Sequence, residues 1–270
     1  MIIIGEKING SIPSVAKAIA EKNETLIKDL AIAQTKAGAS FIDVCASVAD
    51  EIEMETLKWL IDLVQSVTDT PIAIDSPNPN SLVKALPLCK RPGLMNSISG
   101  EGGKPDIILP VIADTKWEVV ALLNDDTGIP KTAADRLRVF DALMAKAKEY
   151  KIAPSRFHID PLVEMLCTSE DGIAMLVEVM AEIKRREPTI HITGAVSNIS
   201  FNLPGRKLIN QAFTVLSMNF GMDSAIFDPL NKDLLGMIYA TEALLGQDEY
   251  CMEYIGGFRE GLFGTPPAKK

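Results

Sequence analysis

The chain is short of the residues that build metal and redox centres. Its 270 residues include four cysteines and two histidines. Cys45, Cys89, Cys167 and Cys251 are widely scattered and no pair has C-x-x-C spacing, which argues against a zinc knuckle and a disulfide framework. His158 and His191 do not suffice for a histidine-rich site, so no protein-bound metal is expected. Positive charge is also scarce. A formal net charge of −9 disfavours nucleic acid and anionic membrane surfaces, which call for basic patches. No apolar run approaches the ~20 residues of a membrane helix, and the opening MIIIGEKING lacks the basic start of a signal peptide. The expected location is the cytoplasm. Walker, G-x-G-x-x-G and G-x-S-x-G loops are missing too, which removes the common phosphate-loop and nucleophile-elbow chemistries.

What the chain has is alternation. With 47% hydrophobic residues it can fill a large core. Short apolar runs stand at Ile2–Ile4, Phe41–Val44, Ile72–Ile74, Gly93–Met95, Val119–Leu123, Phe157–Ile159, Ile190–Val196 and Ala225–Phe227, with helical spacing between them. About eight strand–helix repeats without a linker predict one α/β domain over residues 1–270, a (β/α)8 barrel. Only the Pro-Pro-Ala-Lys-Lys tail reads as loose. Asn23 and Gly38 bracket one helix, and Thr132 opens another whose Leu137, Phe140 and Met144 face inward while Arg136, Arg138 and Lys148 are solvated. The acids Asp50, Glu51, Glu53 and Glu55 read as a solvated helix start. Met165, Met175, Met180, Met218 and Met222 read as core filler.

In such barrels chemistry gathers where the strands end. Those ends carry Glu6 and Asn9, Asp43, Asp75 with Ser76, Asn96 with Ser97, Asn124 with Asp125, Asp160, Asn198, and Asp228. This ring of acids and amides, almost without cations, suits a flat neutral heterocycle whose N–H groups need acceptors and suits a phosphate poorly. The stretch TGAVSNISFNLPGR, Thr193–Arg206, brings small and amide side chains to the end of a buried strand before a helix from Leu208. Asn198 there either serves its own turn or steers a ligand nitrogen. His158 reads as a packed barrel residue, His191 lies early in its strand, and Cys45 reads as a small pocket-lining group. Gly100, Gly102 and Gly103 form a flexible loop in this reading.

Taken together, IIGEKING (Ile3–Gly10), AIDSPN (Ala73–Asn78), MNSIS (Met95–Ser99), DTGIPK (Asp126–Lys131), HIDPL (His158–Leu162) and VSNISFNLPGRKLIN (Val196–Asn210) resemble the methyltetrahydrofolate:corrinoid methyltransferases. That pterin-binding family includes the methyltransferase acting with the corrinoid/iron-sulfur protein and the folate domain of methionine synthase. The resemblance implies a dihydropteroate synthase-like barrel, usually a homodimer. Asp75, Asn96 and Asp160 would bind the pterin, Asp43 would form the pocket floor, Asn198 would approach N5, and Arg206 would hold ligand or loop. Asn198 with Asp75 and Asp160 would manage the N5 proton. Methyltetrahydrofolate or tetrahydrofolate would be the substrate, and cobalamin would arrive on a separate corrinoid protein. Either direction of transfer is open, as in acetogenic carbon fixation or O-demethylation. Cys45 stands where the family often has Asn. A dihydropteroate synthase-like enzyme is the rival, but the VCASVAD and DPLNKD loops offer no Arg-x-His pair for a departing diphosphate. A non-catalytic folate-binding protein is the other alternative.

Overall fold

The computed structural model describes residues 1–265; the Pro-Pro-Ala-Lys-Lys tail lies outside the described residues. Eight strands, β1 (Ile2–Asn9), β2 (Phe41–Cys45), β3 (Ile72–Asp75), β4 (Leu94–Gly100), β5 (Glu118–Asp125), β6 (Phe157–Asp160), β7 (His191–Ile192) and β8 (Ser224–Phe227), form one sheet in the order β7-β6-β5-β4-β3-β2-β1-β8. Strands adjacent in that order pair in parallel. The seam is bridged by Asp223 N to Ile192 O at 3.3 Å and Ile226 N to Gly194 O at 3.0 Å. Among the described residues, ten α-helices cover the outside: α1 (Pro13–Ala20), α2 (Glu24–Lys36), α3 (Asp50–Val67), α4 (Pro79–Ala85), α5 (Lys104–Ile112), α6 (Ala133–Glu149), α7 (Ala174–Arg186), α8 (Arg206–Asn219), α9 (Lys232–Leu244) and α10 (Met252–Glu260).

The strands are apolar because both of their faces are buried. Alternate side chains Ile4, Phe41, Ala73, Leu94, Val120 and Ile226 fill the barrel, while Ile42, Val44, Ile74, Val119 and Ala121 belong to the larger cluster under the helices. On α3 the spacing of Leu57, Leu60, Ile61 and Val64 yields one fully buried stripe. Each such side chain contributes roughly 1.5–3 kcal/mol by leaving water. Asn23 Oδ1 accepts Leu26 N at 3.2 Å to open α2, and Gly38 at φ +87° follows its end. Thr132 Oγ1 accepts Asp135 N at 3.1 Å to open α6.

Several expectations are corrected. The strand expected over Ile190–Val196 is only His191–Ile192, and Val196–Ser200 is a 3₁₀ turn, so Asn198 rides a turn and not a strand end. Thr193 and Gly194 are buried there, and a Cβ at Gly194 would meet Val163 Cγ2 at 2.7 Å. The chain bends over the barrel mouth at that close approach. Helix α8 starts at Arg206, two residues before Leu208. Gly100 closes strand β4, and Gly103 at φ +66° caps α5, so SGEGGK is a tight connection into a helix. Arg136 is not solvated: it is 1% exposed. Glu53 is 6% exposed and accepts Ser76 Oγ at 2.7 Å and also Ser81 Oγ, because α3 packs its first turn against the β3–α4 loop. Met180, Met218 and Met222 are core, whereas Met165 and Met175 are half-buried and line a cleft.

Candidate active site

Side chains two residues beyond the barrel-filling layer point the same way, since a strand alternates with period 2. Phe41 is followed by Asp43, Ala73 by Asp75, Leu94 by Asn96, and His158 by Asp160. The polar ring therefore lies directly on the apolar plug. Asn96 Nδ2 donates to Asp43 Oδ1 at 3.0 Å. Burial, then the Asp75 charge, raise Asp43 well above the usual carboxylate range, with the Asn96 hydrogen bond opposing. Burial likewise pushes Asp75 up to about 6, against the neighbouring Cys45 thiol and with help from Glu53. Asp160 is also pushed by burial to about 6, although the Leu162 and Val163 amides and Arg136 favour its anion. These acids take up protons at a higher pH than carboxylates in water do. His158 sits below them as structure, with Nδ1 2.9 Å from Ser224 Oγ and Nε2 2.7 Å from Glu118 Oε2. Burial pushes the Cys45 thiol up to about 12, which leaves it an unreactive lining group.

The mouth is completed by β1, β8 and the turn after β7. Burial and the Asp228 carboxylate push Glu6 up to about 7, while Lys7 and Arg206 oppose the shift. Lys7 pairs with Asp228 at 3.1 Å. The ring thus has cations after all, grouped on one side. Arg206 Nη2 donates to Ser197 O at 2.7 Å and Nε to Ser200 Oγ at 3.0 Å, so it clasps the turn that bears the exposed Asn198. The Arg206 charge also opposes the rise of Glu6, on the β1 side of the mouth.

Asp43, Asp75, Asn96 and Asp160 are carried by β2, β3, β4 and β6, with Asn198 on the turn after β7 and Arg206 at the start of α8. Four other ring members leave the centre. Ser76 turns outward to Glu53, Asp125 accepts Thr127 and pairs with Arg138 at 2.9 Å, and Asn9 accepts Ser11 N and Ser47 Oγ. Asp228 caps its loop through Leu230 N while it pairs with Lys7. Glu6 belongs to the polar ring read from the sequence and lies within β1. It follows an apolar run, between Gly5 and the cation Lys7, and its residue type alone signals a strand-end acid. Arg136, under the Asp160 loop, left no such sign. An open cleft of about 450 Å³ lined by Lys131, Leu162, Met165, Met175 and Ile199 adjoins the β6–α7 loop.

The chain's similarities to known proteins agree with this geometry. The sequence pattern of the pterin binding enzyme family matches residues 11–228. The chain is 51% identical, over all of both chains, to the methylcorrinoid:tetrahydrofolate methyltransferase of Eubacterium limosum. It is 27% identical to the methionine synthase of Mycobacterium leprae, covering 84% of this chain and 20% of that one. Dihydropteroate synthase from Xanthomonas albilineans with 4-aminobenzoic acid superposes with a TM-score of 0.68 at 16% identity, covering 92% of each chain. The Yersinia pestis synthase gives 0.63 at 14% identity, covering 91% of this chain and 92% of that one. At these identities the synthases share the barrel alone.

Proposed function

This chain belongs to the pterin-binding enzyme family, and we propose that it transfers a methyl group between the cobalt of a corrinoid protein and N5 of tetrahydrofolate. It is a transferase. The full-length relative is named for a methylcorrinoid donor and a tetrahydrofolate acceptor, and we take that as the working direction here. The observation that carries the reading is the set Asp43, Asp75, Asn96 and Asp160 over an apolar plug, with Asp43 and Asp160 buried, Asp75 and Asn96 half-buried, and two of its acids near pH 6. Such a set matches the N–H donors and acceptors of a flat pterin.

The N5 lone pair attacks the methyl carbon, the carbon–cobalt bond breaks with its electron pair left on cobalt, and N5 must then lose its proton. In the reverse direction N5 must gain that proton before it can leave as a neutral amine. Asp75, Asp160 and Glu6 have the proton affinity for either task at neutral pH, where an ordinary carboxylate would be too weak a base. Asn198 hydrogen-bonds N5 as its charge changes, and Arg206 holds the turn that presents it. The corrinoid comes on a partner protein that covers the mouth. The enzyme works as a homodimer in the cytoplasm, where its four free cysteines fit a reducing compartment.

The test follows cob(I)alamin and methylcobalamin by absorbance in the presence of tetrahydrofolate or its methyl form. Asn198→Ala is expected to slow transfer by about 10²-fold while folate affinity changes little. Undiminished transfer in the variant removes Asn198 from the role; folate binding without transfer to or from free or protein-bound corrinoid overturns the reaction.

A further inference from the structure

Arg136 is among the largest fully buried side chains, yet it makes no buried ion pair: Glu164, its carboxylate partner, is 47% exposed. Its guanidinium is spent mainly on backbone. Nη1 donates to Pro161 O and, at 2.9 Å, to Leu162 O; Nη2 donates to Glu164 Oε2; and Nε lies 3.4 Å from Pro130 O. The amides on the far side of the same peptide units turn to Asp160. Leu162 N donates to Asp160 Oδ1 at 2.8 Å, and the Val163 amide also hydrogen-bonds that carboxylate. Two consecutive peptide groups thus lie between the cation and the acid, each accepting from Arg136 at its oxygen and donating to Asp160 at its nitrogen. Chained hydrogen bonds of this kind polarise one another in a low-dielectric interior. Leu162 is held at φ +69° to make the arrangement, a conformation that a branched side chain resists.

We propose that Arg136 is a positioning residue for folate: through the Pro161–Leu162 and Leu162–Val163 peptide groups it fixes the Asp160 carboxylate as an ionised acceptor facing the pterin site. This rests on the reading that Asp160 receives pterin N–H groups. The surroundings of Asp160 leave the task to Arg136. The paired residue on β5 is Leu122, Gly194 beside β7 offers no side chain, and His158 on β6 turns its ring to Glu118 and Ser224. A guanidinium that only stapled two loops would need neither this alignment nor a charge. A positioning cation needs both.

The two requirements are separable by substitution. Arg136→Lys keeps the charge and loses the planar fork; Arg136→Gln keeps a donor and loses the charge. Both are measured for tetrahydrofolate KM, kcat and melting temperature between pH 5 and 8 with methylated corrinoid protein. Arg136→Lys is expected to raise the folate KM about tenfold, the scale of one charge-assisted hydrogen bond, with kcat nearly kept and the acid limb of kcat/KM still near pH 6. Arg136→Gln is expected to raise KM at least as much and to move that limb up by roughly one unit, because the lost cation leaves Asp160 holding its proton longer. A lower melting temperature with wild-type KM and limb in the folded variants is the signature of a loop staple and overturns the proposal. Should Arg136→Gln not fold, a wild-type KM in Arg136→Lys overturns it alone. Wild-type protein that binds no tetrahydrofolate overturns the pterin reading itself, a result distinct from either.

Discussion

A carboxylate held away from water destabilises the fold once it ionises unless its partners make up the loss, and the barrel mouth concentrates several. Asp75 and Asp160 rise from 3.8 to about 6, and Glu6 rises from 4.5 to about 7. Between about pH 4 and 7 the native state therefore binds more protons than the unfolded chain. The stability these groups contribute is fully present below their unfolded values and is lost as pH rises through the folded ones. His158, lowered chiefly by burial, acts in the opposite direction, one group against three acids. Asp223, where His191 and Lys184 overcome burial to hold it near 2, matters only in stronger acid. The ligand-free protein is accordingly expected to melt several degrees higher at pH 5.5 than at pH 7.5, on the order of 2–4 °C for each kcal/mol. Asp75→Asn should flatten the slope, and saturating tetrahydrofolate should raise the pH 7.5 value most by supplying N–H partners. Calorimetry across that range checks it. A steeper stability gain with rising pH would mean that these acids are ionised and already satisfied in the empty site.

At the scale of elements, the β7–α8 connection does what a longer strand cannot. Ending β7 at Ile192 lets Val196–Ser200 fold as a turn over the mouth, and Arg206, the first residue of α8, reaches back to Ser197 and Ser200. Arg206→Ala should loosen that clasp, lower methyl transfer about tenfold through the loss of hydrogen bonds to a charged group, and leave the melting temperature almost unchanged, since Arg206 is exposed. Stopped-flow transfer rates measure the first and calorimetry the second. The same connection marks where sequence reasoning ends. Strand ends at Asp43, Asp75, Asn96 and Asp160 were legible because buried apolar alternation stops there in a polar residue, and the barrel puts chemistry at that edge. Before the turn at Asn198, Ile190, Ile192 and Val196 mimic the period 2 of a strand, and the close approach of Gly194 to Val163 that bends the chain is a tertiary fact. Arg136 and Glu53 escaped for a related reason. On a helix a charged residue looks the same whether it meets water or a neighbouring loop, and the carbonyls that hold Arg136 leave no mark in composition.

At the scale of the molecule, the outer surfaces of α8 and α9 expose large apolar side chains, as does that of α10 with Met252, Tyr254 and Ile255. Leu208 (73% exposed) and Leu216 (48%) on α8 stand beside Met237 (38%) and Leu244 (85%) on α9, and the two helices pack side by side along the barrel flank. Scattered apolar residues on a surface are ordinary, but a run along two adjacent helices is the pattern of an interface. A homodimer about a two-fold axis would place the same face on each subunit, so one substitution acts twice at the interface. If the proposed homodimer uses this face, the wild type is expected to sediment as a dimer at micromolar concentration and Leu208→Asp with Leu244→Asp as a monomer, measured by sedimentation velocity. Both helices begin at the mouth end of the barrel, yet Asp43, Asp75, Asn96 and Asp160, the proposed pterin contacts, sit inside it on β2, β3, β4 and β6. The monomer should thus keep its tetrahydrofolate affinity. A double variant that remains dimeric would move the interface off this flank, whereas monomers that no longer bind folate would mean that the second subunit shapes the mouth.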